Sequence, residues 1–247
     1  MAITTLTDAR IYLAEFNLSG DHNQIDLEVG VRDRPNTVFG NVAESVKGTL
    51  PYVELTGQGF VTLGTGNVHA VLGANINTAD VPVTVTYGGA TEGEYAEFFK
   101  ALVARYNPFA TGEVGEHMAF QFNAKGQGVN PVQGKIHGVG SKTSTGTGTG
   151  YQDGAAAATD TIYAALHVLS VSGTSPTLDV TITSDDNGSF TSETTRLTFA
   201  QKTAVGSEMV SLAGAVTDDY WRAKWTIGGS ATPTFDVVVV FGIESHA

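Results

Sequence analysis

The chain has 247 residues, 41% of them hydrophobic and 15% charged, which is enough apolar content for one large or two small cores. Its formal charge is −12, shared almost evenly as eight basic against fourteen acidic side chains in residues 1–140 and five against eleven in 141–247. No stretch can therefore neutralise nucleic-acid phosphates, and the absence of cysteine excludes disulfides and thiolate metal sites while leaving the compartment open.

The opening, MAITTLTDARIYLAEF, has no basic segment followed by an apolar run, so it is not expected to be a signal peptide. No apolar run approaches the ~18 residues of a membrane-spanning helix. Residues 10–20 and 23–31 read as a strand pair turned by SGDHN. In the second strand Ile25, Leu27, Val29 and Val31 share one face, and Asp26, Glu28 and Arg32 share the other, the period-2 pattern of a half-buried strand. Residues 32–50 are polar and weakly periodic and read as a long loop or extended hairpin. Strands are expected over 52–64, with Glu54 on a polar face, and over 81–89, with VHAVLGANI between them as helix or strand.

A helix is expected over about 91–106. Tyr95, Phe98, Phe99, Leu102, Val103 and Tyr106 fall at helical spacing, Thr91 and Glu94 have capping-box spacing, and Asn107–Pro108 is a stop. Strands near 117–124 and 132–139 follow. The stretch 141–160 is rich in Gly, Thr and Ala and reads as a linker. The remainder reads as six strands, near 162–171, 177–184, 195–199, 208–213, 219–227 and 234–242. Leu178, Val180 and Ile182 alternate with Asp179, Thr181 and Thr183, and Trp221, Ala223, Trp225 and Ile227 alternate with Arg222, Lys224 and Thr226. This predicts a β-sandwich, Ig-like or jelly-roll-like, over 161–247, after a domain over 1–140.

Few constellations carry chemistry. Asp185, Asp186 and Asn187 match a calcium loop only in part, because that run starts with Thr183; DDNG reads instead as a hairpin turn. None of the six histidines pairs with another at metal-ligand spacing. GTGTG at 146–150 lacks the lysine and the flanking strand–helix unit of a phosphate loop. Glu92, Glu94 and Glu97 read as solvated carboxylates on a helix. Asp218, Asp219, Tyr220 and Trp221 place carboxylates beside aromatics, as sugar sites do, against the plainer reading of a turn entering a core strand. No catalytic, cofactor or metal residues emerge, and the chain is expected to be a structural or binding protein, not an enzyme.

YLAEFNLSGDHNQIDLEVG, NTVFGN, VELTGQGFV, ADVPVTVTYGGATEGEYAEFFKALVARYNP and MAFQFNAKGQG, taken in order, resemble the major tail protein, the tail tube subunit of long-tailed bacteriophages. IYAALHVLSVSGTSPTLDVTITSDDNGSF through DDYWRAKWTIGGSATPTFDVVVVFGI resembles the β-domain often appended to such proteins. The resemblance implies a mainly β subunit, a small sandwich or open barrel flanked by one packed helix, here 91–106. It also implies hexameric rings stacked into a hollow tube, no cofactor, other tail proteins as partners and a place in the virion. DNA would pass through without specific binding, past acidic, Lys-poor walls for which Asp26, Glu28 and Glu54 are the lumen candidates. The segment 32–50, with Arg32, Arg34, Asn36, Phe39, Glu44 and Lys47, would contact the neighbouring ring, and the C-terminal domain would decorate the outside. The alternatives are a carbohydrate- or cell-surface-binding module using Asp218, Asp219, Tyr220 and Trp221, and a capsid decoration protein.

Overall fold

Short β-branched and aromatic runs, cut by Gly and Asx turns, give strands along almost the whole chain. The computed structural model describes residues 8–35, 46–111, 113–128 and 130–244. Strands β1 (Ile11–Leu13), β2 (Phe16–Asn17), β3 (His22–Pro35) and β4 (Val46–Phe60) precede a helix, α1 (Val68–Asn75). Then come β5 (Val81–Thr86), β6 (Tyr95–Thr111), β7 (Ala119–Gly126), β8 (Val132–Lys142), β9 (Gly146–Thr147) and β10 (Tyr151–Gln152). The last four are β11 (Thr161–Asp185), β12 (Thr194–Thr198), β13 (Gly206–Ala213) and β14 (Tyr220–Glu244). The protein is mainly β, and α1 is the one α-helix among the described residues.

The helix expected over 91–106 is not helical. Its residues form a turn and then β6. Gly89 and Gly93 adopt positive φ in that turn, and Glu94 N–H donates to the Thr91 carbonyl there, so the Thr91–Glu94 spacing marks a turn and not a helix cap. Along β6 the buried residues are Ala96 and Phe98, then Phe99, Ala101 and Val103. The inward parity slips by one at Phe98–Phe99, where the strand leaves β8 and goes on to pair with β7. That slip imitates helical spacing, while Tyr, Phe and Val favour the strand. The real helix is the stretch left open between helix and strand: Val68, Val71 and Leu72 are its buried residues, at i, i+3 and i+4.

The chain divides into two compact units. The first comprises the residues up to Gly20, Val81–Phe99 and the chain from Val132 onward; the second comprises Asp21–Asp80 and Lys100–Pro131. The expected strand pair 10–20/23–31 is accordingly absent: β1 pairs with β2 and β5, and β3 pairs with β4.

In the first unit β11 and β14 run antiparallel over nearly their whole lengths. Both bend midway, at Gly173–Ser175 and Gly229–Thr232, where φ turns positive and the register shifts. Each strand is thus two of the six expected ones. β13 flanks the first half of β11 and β12 the second; β8 flanks the second half of β14, and β9 and β10 the first. Leu178, Val180, Ile182, Trp221 and Ala223 from one pair of halves share a core with Ile162, Leu166, Phe235, Val239 and Phe241 from the other.

The stretch 141–160 is no linker in this unit, since it carries β9 and β10 against β14. Two of its glycines serve close packing. A Cβ on Gly148 would stand 2.0 Å from the His137 carbonyl, and one on Gly150 would stand 2.3 Å from the Phe190 ring. Gly148 N–H donates to Ala223 O at 2.9 Å.

His167 on β11 is fully buried. Its Nδ1 lies 2.6 Å from the Ala14 carbonyl, so Nδ1 carries the proton and Nε2 accepts from the Thr84 hydroxyl at 2.8 Å. Burial pushes its pKa down to about 4. The neutral ring supports the fold above the ordinary histidine value near 6.5, and that support is lost as pH falls through 4. We expect the urea midpoint to drop by an amount equivalent to about 3 kcal/mol between pH 7 and pH 4, a drop that His167→Gln flattens while lowering stability at pH 7. An unchanged pH profile in that variant would contradict the assignment.

Candidate functional site

In the second unit β3, β4, β7 and the later part of β6 form an antiparallel sheet in that order. Side chains directly opposed across such a sheet share a face, so the register states which residues meet. One face holds Leu55, Phe120, Phe122 and Ala124, all buried. Gly57 lies beneath Phe122, and a Cβ there would come 2.1 Å from the ring, so only glycine fits.

The other face is polar and laddered. Gln24, Gln58, Gln121 and Asn107 form one cross-strand row; Asp26, Thr56, Asn123 and Arg105 form the next; Glu28, Glu54 and Lys125 begin a third. Gln121 Nε2 donates to Gln58 Oε1 at 3.0 Å, Asn123 Nδ2 donates to Glu54, and Tyr52 OH donates to Glu28. Hydrogen bonding to Glu28 raises the Tyr52 pKa. The Arg32 guanidinium stands 5.9 Å from the Tyr52 ring centroid.

The three residues picked as one polar set, Asp26, Glu28 and Glu54, do meet on one face, with Glu28 directly opposite Glu54. The face is nevertheless not the expected acidic, Lys-poor wall. Arg32, Arg105 and Lys125 join it, so three carboxylates stand among three cations. Sequence reasoning misses Arg105 and Lys125, because the apolar spacing over 91–106 imitates a helix and the order β3–β4–β7–β6 cannot be read from the chain. Lys125 alternates with buried Ala124, a signal that could have found it, whereas Arg105 stands two residues from buried Val103 and reaches this face only through the register shift between them.

Arg32, Arg34 and Lys47 lie on the hairpin of β3 and β4, with Arg34 directly opposite Lys47. Asn36, Phe39 and Glu44 lie outside the described residues. Glu28, Arg32, Arg34, Tyr52 and Glu54 line one open groove of about 350 Å³, so the two candidate sets adjoin.

The sugar-site candidates are committed elsewhere. Trp221 is fully buried, stacked on Phe241 at 4.5 Å between centroids, and its Nε1 donates to Gly154 O at 2.8 Å. Trp225 is buried too, beneath the Lys142 ammonium at 4.3 Å. Asp218 accepts from Ser184 at 2.6 Å and Arg196 at 2.9 Å, contacts that hold its carboxyl below the usual range. Asp219 accepts from Gln152 at 2.6 Å, and Tyr220 opens β14 in register with Asp185. These four do not form an exposed aromatic platform with free carboxylates.

The DDNG stretch is a turn, but not the two-residue hairpin expected, since neither Asn187 nor Gly188 has positive φ. Burial raises the Asp185 pKa, but N–H donors from Ser192 at 2.7 Å and Asn187 at 3.2 Å outweigh it and hold the carboxyl below its ordinary value. Glu92 accepts from Thr149 at 2.8 Å and Glu97 from Tyr87 at 2.8 Å, so neither is a bare solvated carboxylate. Among the described residues no three His, Asp or Glu side chains gather where they could hold a metal ion, and no helix is long and apolar enough to cross a membrane.

No family model matches the chain, and no curated protein matches it. Solved structures do. A protein in the virion of a native gene transfer agent particle is 8% identical with a TM-score of 0.37, covering 49% of this chain and 92% of its own. The Dit (gp 19.1) protein of phage SPP1, described as a hub adsorption apparatus, is 11% identical with a TM-score of 0.35, covering 96% of this chain and 99% of its own. A protein of the anti-feeding prophage baseplate is 11% identical with a TM-score of 0.37, covering 51% of this chain and 94% of its own. At these values the likenesses carry no weight for what the chain does.

Proposed function

We propose that the chain is a structural subunit of a bacteriophage tail, located in the virion and made in the host cytoplasm, that assembles with its own copies into rings stacked as a tube. The observation that carries this reading is the sheet of the second unit. Among the described residues β3 pairs on one side only, with β4, and β6 over Arg105–Thr111 pairs only with β7. Open edges of unlike sequence at the two sides of one sheet suit head-to-tail pairing between copies, which closes a ring when the rotation closes. The polar face then lines the bore.

That face also suits DNA passage without retention. Its three cations stand among Asp26, Glu28 and Glu54 and are not offered as an unopposed basic strip to phosphates. The sequence resemblance to tail tube subunits agrees with this arrangement, and six copies per ring is the number it suggests. The reading assigns the chain no catalytic step and no cofactor, and its other partners are further tail proteins. The discriminating experiment is negative-stain electron microscopy of the purified protein together with its mass from light scattering. Rings or hollow tubes support the proposal. A monomer at every concentration up to the solubility limit counts against it and favours a surface-binding or capsid-decorating role.

A further inference from the structure

Asn187–Gly188, in the DDNG turn, is the one Asn-Gly pair in the chain. Asparagine is thermolabile because the backbone nitrogen of the next residue can attack its side-chain carbonyl carbon. Glycine, with no Cβ, crowds that approach least. Whether the reaction runs in a folded protein depends on what already occupies the nitrogen and the carbonyl.

Here the nitrogen is unoccupied. Gly188 is exposed, and its N–H donates to no described residue. The carbonyl is polarised instead: Ser189 N–H donates to Asn187 Oδ1 at 2.9 Å, so the oxygen that gains charge as the new bond forms already has a donor. The turn is pinned around this group, with Phe190 N–H donating to the Asn187 carbonyl and Asn187 N–H to Asp185, each at 3.2 Å. Asn187 Nδ2 donates to Asp186 at 2.9 Å and to Asp185 at 3.2 Å, which fixes the amide with its oxygen towards Ser189. The one Asp-Gly pair, Asp153–Gly154, is arranged in the opposite way. The Asp153 carboxylate lies between Lys135 Nζ at 2.6 Å and His137 Nε2 at 2.8 Å, and Gly154 N–H donates to the Asp219 carbonyl at 3.2 Å. Both reacting groups are occupied there.

We propose that Asn187 is a site of spontaneous covalent modification in the folded protein, converted by water to aspartate and isoaspartate. The Gly188 nitrogen gives its proton to solvent and bonds to Asn187 Cγ. The Cγ–Nδ2 bond breaks, and Nδ2 takes a proton from solvent and leaves as ammonia. Water then opens the five-membered imide. Breaking the Cγ–N bond gives aspartate, and breaking the bond from the Asn187 carbonyl carbon to that nitrogen gives isoaspartate.

The product sets a third carboxylate against Asp185 and Asp186 and removes the two N–H groups that Asn187 offered them. Asp185 is buried and accepts from Ser192 N–H at 2.7 Å, so it cannot turn to solvent without freeing the loop 186–193. That loop carries Phe190, buried under the Arg222 guanidinium at 4.1 Å, and Glu193, which accepts from Arg222 at 2.6 Å and Thr183 at 3.1 Å. The modified protein keeps its core and loosens this loop.

Peptide mapping by mass spectrometry of folded protein held in warm, mildly alkaline buffer tests the site. The peptide bearing residue 187 is expected to gain one mass unit and to split into aspartate and isoaspartate forms. Compared with the same chain unfolded in urea, folding is expected to slow isoaspartate formation at Asp153 about tenfold more than at Asn187, the worth of one charge-assisted hydrogen bond. Asn187 left intact in folded protein while the urea-unfolded chain is converted overturns the proposal, and so does equal slowing at the two pairs. Gly188→Ala is expected to keep Asn187 intact over the same time; conversion at the unaltered rate in that variant also overturns it. In a second arm, limited proteolysis is expected to cut within 186–193 earlier in aged protein than in fresh, with fresh Asn187→Asp cut as early as the aged chain. Equal resistance in aged and fresh protein overturns the loosening of the loop.

Discussion

Replacing Trp221 with alanine is expected to cost the first unit about 4 kcal/mol, the range for truncating a fully buried large aromatic. The indole fills the centre of the shared core, stacks on Phe241 and donates to the Gly154 carbonyl. Its loss opens a cavity and leaves that carbonyl without its donor. Trp221→Phe keeps the stacking and loses the hydrogen bond, so it should cost about 1 kcal/mol. Urea unfolding followed by far-UV circular dichroism separates the two. A Trp221→Ala protein with the unaltered midpoint would mean that the tryptophan is not in the core, and would return it to the sugar-binding reading.

The second large effect concerns the polar face. Changing Asp26, Glu28 and Glu54 together to lysine moves that face from three carboxylates among three cations to six cations, a swing of six charges per copy. The side chains are at most half-buried, so the sheet should hold, at the cost of losing the Tyr52 and Asn123 hydrogen bonds to Glu28 and Glu54. A like-charge pair at 54 and 125 adds a fraction of about 1 kcal/mol. We expect assemblies to form and then retain duplex DNA at low salt, with retention falling steeply as salt rises, and genome delivery to fail in a phage carrying the change. Intact assemblies with no DNA retention and normal infectivity would mean that this face does not line a conduit.

Strand identity was legible wherever one residue in two is buried. Leu178, Val180 and Ile182 announced their faces, and so did Trp221, Ala223 and Trp225. Thr183 did not, because it is buried on the outward side, where its hydroxyl donates to Glu193. β6 was misread because the sequence records buried positions but not which neighbour buries them. A strand that changes partner at Phe98–Phe99 shifts parity, and over a few residues that shift resembles a helical turn. Glycine richness in 141–160 was read as freedom, whereas at Gly148 and Gly150 it records backbone packed against backbone and ring.

The candidate site was legible in half. Asp26 and Glu28 share a face by strand periodicity alone, and Glu54 joins them because β3 and β4 pair in a hairpin. Arg105 and Lys125 arrive from strands about 50 to 100 residues further on, through pairings that depend on sheet order. Local pattern does not encode that order, so the sequence suggested an acidic wall where the folded sheet offers a balanced one.

The central claim is that copies join through the open edges of β3 and β6. The chain has no cysteine, so cysteines placed one at a time on β3 and on the Arg105–Thr111 part of β6 have no native thiol to compete with. Joining Gln24→Cys to Asn107→Cys in one protein, with a short bis-maleimide, reports the edge-to-edge contact. Within one copy these two positions lie three strands apart, roughly 14 Å, beyond a linker of about 8 Å. The account predicts a ladder of covalent oligomers on a denaturing gel that ends at the ring number, while each single-cysteine control stays monomeric. A ladder absent at protein concentrations where microscopy shows rings would contradict it, because the rings would then be built through some other surface.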